Sequence, residues 1–256
     1  MYKLIFFLTC IAVSTAPAAA TGISATYTIE TAGIKIVDAT AEINLSENVY
    51  TVKVAYRTRG VAAVFFHGSQ VAEADGLWLG LMPAPVHFRT VGIWQGVNRH
   101  TQIDYMDGEP VVSVLEPAES EKRYPVSLAQ RADTIDPLSA LALLVRQVRD
   151  TGRCDGKVSL FGGRSRLEFA AHTIGIEHID GGTQSWSGNA LRCTFESRIV
   201  AGFGRERRTE KAEGTKGGVA WIAAPLPGGL PIPVRIDAAS RWYGSTSIRL
   251  VHADPQ

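Results

Sequence analysis

Three cysteines, a near-perfect balance of charge and a single long apolar run are sparse material for a chain of 256 residues. Each scarcity excludes something. With 26 basic against 25 acidic side chains, the chain lacks the cationic excess that grips a phosphate backbone, so nucleic acid is not an expected partner. After Val13 no stretch approaches the ~20 apolar residues that a membrane-crossing helix needs, so no later segment is expected to span a bilayer. Also missing are a GxSxG elbow, an HExxH zinc helix, a phosphate-binding loop and an EF-hand loop. The pair Gly202 and Gly204 has no third glycine at dinucleotide spacing and follows a β-like run rather than opening a helix. No catalytic residue, metal or cofactor is assigned, and the chain is not expected to be an enzyme.

What is present begins at the N-terminus. Met1 to Lys3 carry one positive charge, Leu4 to Val13 are almost wholly apolar, and Ala18-Ala19-Ala20 supplies small residues. This is the pattern of a secretory signal peptide cut between Ala20 and Thr21. Residues 1–20 are therefore read as the signal and 21–256 as one β-barrel-like domain. Phe7-Leu8-Thr9 before Cys10 does not suit lipoprotein acylation, so Cys10 is expected to leave with the signal. The expected location is the periplasm.

Removal of Lys3 leaves equal numbers of basic and acidic residues. Two cysteines remain, Cys154 and Cys193, and an even count in an oxidising compartment favours a bridge. Closing a loop of about 40 residues stabilises a fold by roughly 4 kcal/mol in the chain-entropy picture.

Most of the chain reads at period two. Tyr50, Val52, Val54 and Tyr56 alternate with Thr51, Lys53, Ala55 and Arg57. Leu191, Cys193, Phe195 and Ile199 alternate with Arg192, Thr194, Glu196 and Arg198. Asp107-Gly108 and Gly162-Gly163 mark tight hairpin turns. Many short strands at this spacing predict a mainly β fold, an antiparallel open or spiral barrel. One helix breaks the pattern, over about 136–150. Asp136 suits its N-cap, Pro137 its first turn and Gly152 its terminator. Leu138, Leu141, Val145 and Val148 share one face, and Ala140, Ala142 and Leu143 extend the apolar surface around it. A helix apolar over so much of its circumference must be covered on most sides, so it is expected to pack against or inside the curved sheet.

Candidate functional residues are few. The six histidines are scattered; His172 and His178 would share a face only on an uninterrupted strand, and Gly175 lies between them. The mixed-sign run from Arg205 to Lys216 reads as a solvated loop. The richest apolar region outside the helix, Trp78 to Trp94, is broken by Pro83-Ala84-Pro85, and greasy irregular segments can line a ligand mouth. Trp78, Met82, Phe88 and Trp94 are the expected ligand-binding side chains, with Arg89 or Arg235 meeting an anionic head group.

The block from Arg123 to Phe169, with Asp136-Pro137-Leu138-Ser139 opening the helix and Gly163-Arg164 at the hairpin, resembles the bacterial exported proteins grouped as domain of unknown function 3108. Tyr27-Thr28-Ile29 followed by Gly33, and Pro233-Val234-Arg235-Ile236, extend the resemblance over nearly the whole mature chain. Gly162 stands where relatives commonly carry Asp. The resemblance implies an exported barrel-like domain and brings no established activity. The expected function is a non-enzymatic periplasmic module that binds a lipid or other apolar or amphipathic envelope component. A module with a filled barrel that binds an envelope protein partner is the alternative, and an envelope hydrolase ranks last.

Overall fold

A computed structural model describes residues 22–65, 67–118, 123–182, 184–205, 215–240 and 244–256. The segment 1–20 read as an export signal lies outside the described residues, as does most of the mixed-sign run, 206–214. The first seven strands are β1 (Gly22–Thr31), β2 (Ile34–Leu45), β3 (Val49–Thr58), β4 (Gly68–Leu79), β5 (Met82–Trp94), β6 (Val97–Met106) and β7 (Glu109–Glu116). The last six are β8 (Gly156–Phe161), β9 (Arg166–Ile179), β10 (Gly188–Ala201), β11 (Lys216–Ala223), β12 (Ile232–Ser240) and β13 (Gly244–Pro255). They form one antiparallel sheet in the order β7-β6-β5-β4-β3-β2-β1-β13-β12-β11-β10-β9-β8. Every paired strand thus lies beside a sequence neighbour except where β1 pairs with β13, which brings the two ends of the described chain together. The result is a nearly closed barrel of thirteen strands.

Alternation builds the core. Ile23, Ile43, Val52, Ala74, Phe88, Ile103 and Val112 are successive cross-strand neighbours from β1 to β7 and form one inward row. One position along each strand, Glu42, Lys53, Glu73, Arg89 and Gln102 form the matching outward row, with Lys53 and Glu73 paired at 2.9 Å. A one-residue slip would exchange the two rows, so the pattern itself pins the register.

The barrel's seam lies between β7 and β8. Gly163, in the four-residue connection 162–165 between β8 and β9, packs so closely on the β6–β7 wall that a Cβ there would lie 2.5 Å from Thr101 Cγ2. Its φ of +92° also favours glycine. Beside it, Arg164 Nη2 donates to the Pro117 carbonyl at 2.5 Å. On the other flank, Ile135 bridges to Leu160 of β8. The connection is longer than the two-residue turn expected there, because it has to reach across this gap. The Asp107-Gly108 hairpin is as expected, with both residues at positive φ.

Three helices accompany the sheet among the described residues: α1 (Gly60–Phe65), α2 (Leu128–Arg131) and α3 (Pro137–Thr151). The two short ones are too brief to leave a periodic signal. The long one follows its sequence signals closely. The Asp136 carboxylate caps the Leu138 and Ser139 amides at 2.9 Å each, and Gly152 ends the helix with φ +68°. Its buried stripe runs through Leu138, Ser139, Ala142, Val145 and Val148. It is rotated slightly from the expected face, so that Ala142 rather than Leu141 sits at its centre. The helix lies in the curve of the sheet, against β2 to β5 on one side and β8 on the other. Cys154, three residues past its end, is bridged to Cys193 of β10 with Cα atoms 6.4 Å apart. Val148, Leu191 and Ile222 pack around the bridge, with Leu144 against them.

Candidate functional site

The small residues on the buried face of α3 let it sit close to the β3–β5 wall, and this leaves a gap on the opposite side. Ala140, Leu143, Leu144 and Gln147 face that gap from the helix. Val158 and Leu160 of β8 and Phe169 and Ala171 of β9 line it from the sheet, and Leu81 and Met82 close a third side. The cleft has a volume of about 530 Å³, within the range of small-molecule sites. The all-round apolar character of the helix therefore has two causes: one stripe fills the core and the other lines a cleft.

The rim is polar, with Arg146, Gln147, Asp150, Thr151 and Lys157, two cations against one carboxylate. Arg146 dominates it. Its guanidinium lies 4.2 Å from the Trp78 ring, and Trp78 in turn packs against Tyr50 at 4.9 Å. The Arg146 side chain is 15 % exposed, and its Nε and Nη1 are fully buried without a hydrogen-bond acceptor among the described residues. The nearest carboxylate oxygen, on Asp150, is 3.6 Å from Nε, which is an ion pair but too long for a hydrogen bond. Trp78 stabilises the cation through its ring face. Two guanidinium donors nonetheless remain unmet, and an anionic group such as a carboxylate or phosphate would complement the buried charge.

Asp150 carries the one carboxylate on the cleft among the described residues. The hydrogen bond from Arg149 Nε at 2.7 Å, together with the charges of Arg149 and Arg146, holds its pKa below the ordinary carboxylate range. Such a group stays ionised at neutral pH and is a poor proton donor.

A second polar cluster lies at the buried start of α3. Asp136 accepts the Ser139 hydroxyl as well as the two cap amides, and the Tyr50 hydroxyl donates to Ser139 Oγ at 2.7 Å. Burial raises the Asp136 pKa to about 6, against the opposing pull of these hydrogen bonds. The Tyr105 phenol is pushed well up by burial and then by the Asp136 charge. This cluster anchors the helix; none of its members lines the cleft.

A larger trough of about 830 Å³ lies on the outer surface of β1 to β5, lined by residues such as Thr26, Thr28, Thr40, Arg57 and Val71. Its polar groups are largely engaged: Lys35 donates to Gln184 at 2.8 Å and Arg59 pairs with Asp38. The helix-side cleft has the more enclosed apolar lining and the unmet cationic donors, and it is the better candidate.

The expected ligand-binding residues scatter. Met82 lines the cleft, and Trp78 supports it from below through Arg146. Phe88 belongs to the inward core row. Trp94 lies at the far end of β5, its ring where a side chain on Gly68 would be. Arg89 stands in the outward row, with Nε 3.4 Å from His100 Nε2. Arg235 stacks over Trp221 at 4.7 Å and pairs with Asp237 at 2.5 Å. Neither arginine lines the cleft. His172 and His178 pair with Thr194 and Asn189, five apart on β10, so the bulge at Ile174 puts them on opposite faces.

The family model described as protein of unknown function (DUF3108) matches residues 26–251. The chain belongs to this family. Among curated proteins none matches the DUF3108 chain. Its fold is similar to that in the crystal structure of a beta-barrel-like protein of domain of unknown function DUF1849 from Brucella abortus. That match has a TM-score of 0.53 at 11 % identity and covers 93 % of this chain and 99 % of the other. At such identity the likeness concerns the fold alone.

Proposed function

We propose that this DUF3108 protein is an exported, non-enzymatic binding module of the periplasm that holds an anionic amphiphile in the cleft beside α3. The observation that carries the reading is the combination at Arg146: an apolar cleft of about 530 Å³ whose rim holds a buried guanidinium with unmet donors. Burying a hydrocarbon chain there contributes about 25 cal/mol per Å² removed from water, while a carboxylate or phosphate head group satisfies Arg146. A bridge between Cys154 and Cys193 fits an oxidising compartment. The low pKa of Asp150 argues against acid catalysis at the same place.

The test is mass spectrometry of small molecules extracted from the mature protein after gentle purification from a native periplasm, against a mock purification. An anionic lipid or fatty acid at near-stoichiometric level is the expected result. A clean extract, together with failure to take up a fluorescent fatty acid, would sink the proposal and leave the filled, partner-binding module.

A further inference from the structure

Next to the cleft the β4–β5 hairpin does something unusual for a soluble surface. Pairing of β4 with β3 stops at Leu77, and pairing of β5 with β6 starts only at His87. The turn between them therefore overhangs its neighbours. Gly80 makes the bend with φ +63°. Around it Leu79, Leu81 and Met82 are 70 %, 73 % and 53 % exposed, and Leu77 beside them is also exposed. From Leu77 to Pro85 there is no charged residue. An apolar tip this exposed and this free of charge marks a surface that meets something apolar.

We infer that this tip inserts into the surface of a phospholipid bilayer and passes the amphiphile between membrane and cleft. Three observations favour a membrane as the occupant. Leu81 and Met82 line the cleft as well as the tip, so an apolar path runs from one to the other without crossing water. Lys157, exposed on the same rim and without an ion-pair partner among the described residues, suits anionic head groups. The tip is narrow, two strands and a tight turn, which fits shallow insertion among lipids better than a broad protein interface. The delivery role rests on the amphiphile reading above; the docking itself does not.

The experiment is co-sedimentation of the mature protein with vesicles of phosphatidylethanolamine and phosphatidylglycerol, beside binding of a fluorescent fatty acid in solution. The comparison is the Leu77→Ser/Leu79→Ser variant, which changes two exposed residues that do not line the cleft. Wild type is expected to pellet with vesicles, and the variant to lose at least about tenfold in partitioning while binding the probe as before. Probe transfer from wild type to vesicles should speed up with vesicle concentration, as transfer by collision requires. Probe binding without pelleting of wild type, or equal pelleting of the two proteins, overturns the docking inference and leaves the cleft intact. Pelleting that depends on the leucines, without probe binding, supports docking and removes the amphiphile reading instead.

Discussion

The Tyr50 hydroxyl donates to Ser139 Oγ at 2.7 Å and so fastens the start of α3 to β3 deep in the barrel. Room for it comes from Gly76, where a Cβ would fall 2.4 Å from the same hydroxyl and 2.6 Å from the Ala84 carbonyl oxygen. Tyr50→Phe removes one donor but leaves Ser139 bonded to Asp136, so it should cost about 1 kcal/mol. Gly76→Ala meets backbone that cannot yield and should cost more, about 1–3 kcal/mol. Urea unfolding of the two variants gives the order, and a harmless Gly76→Ala would contradict the packing.

Asp136 predicts an unusual pH dependence. Its carboxyl has a pKa of about 6 in the fold, against ~3.9 in an unfolded chain. The native state therefore keeps a proton that the unfolded chain releases, and stability due to this group falls as pH rises from about 4 to 6. The loss is on the order of 3 kcal/mol and is complete above the folded pKa. Asp136→Asn keeps an acceptor for the cap amides and cannot titrate. Its unfolding free energy should lack this decline, so the gap between variant and wild type changes across the window. Parallel curves from pH 4 to 7 would mean another group titrates.

The bridge between Cys154 and Cys193 acts mainly on the unfolded chain, which it closes into a loop of 39 residues. Other contacts hold the exit of α3 in place. Cys154 N donates to Thr173 Oγ1 at 2.9 Å, and Asp155 Oδ1 accepts from Thr173 N at 3.0 Å. Replacing both cysteines by serine should thus lower stability by about 2–4 kcal/mol while leaving fatty-acid probe affinity nearly unchanged. Paired unfolding and binding titrations check this, and a large loss of affinity would show that the bridge shapes the cleft directly.

Much of this fold is legible in the sequence, for physical reasons that also set the limit. Asp136, Pro137 and Gly152 mark α3 because capping chemistry is local. Val52 and Lys53 declare opposite faces because the pleat has period two. Alternation says which side a residue faces but not which strand lies beside it, so Phe88 and Trp94 read alike although one is core and the other sits at the far end of β5. Of the cleft, only Leu143 stands out in sequence, as apolar surface beyond the core stripe that reads as a face for the sheet to cover. Its other wall, Phe169 and Ala171, arrives from β9 only once the sheet has curled. In sequence Arg146 is one more basic side chain near the end of a helix; that its donors lie buried over Trp78 depends on β4.

Arg146 and Leu143 allow the two parts of the proposed ligand to be tested separately. Arg146→Met keeps the apolar stem and removes the guanidinium. It should weaken binding of a fluorescent fatty acid by about tenfold, equivalent to about 1.4 kcal/mol, and leave the matching uncharged alcohol unaffected. Stability should hold or rise, because a desolvated cation with unmet donors is lost. Leu143→Trp acts on the other part. Leu143 lines the cleft without belonging to the main core, so a larger side chain there fills the space and should abolish binding of acid and alcohol alike. Isothermal titration with both ligands and both variants separates the cases. Equal losses for acid and alcohol on Arg146→Met would remove Arg146 as the head-group contact, and undiminished binding to Leu143→Trp would place the chain outside this cleft.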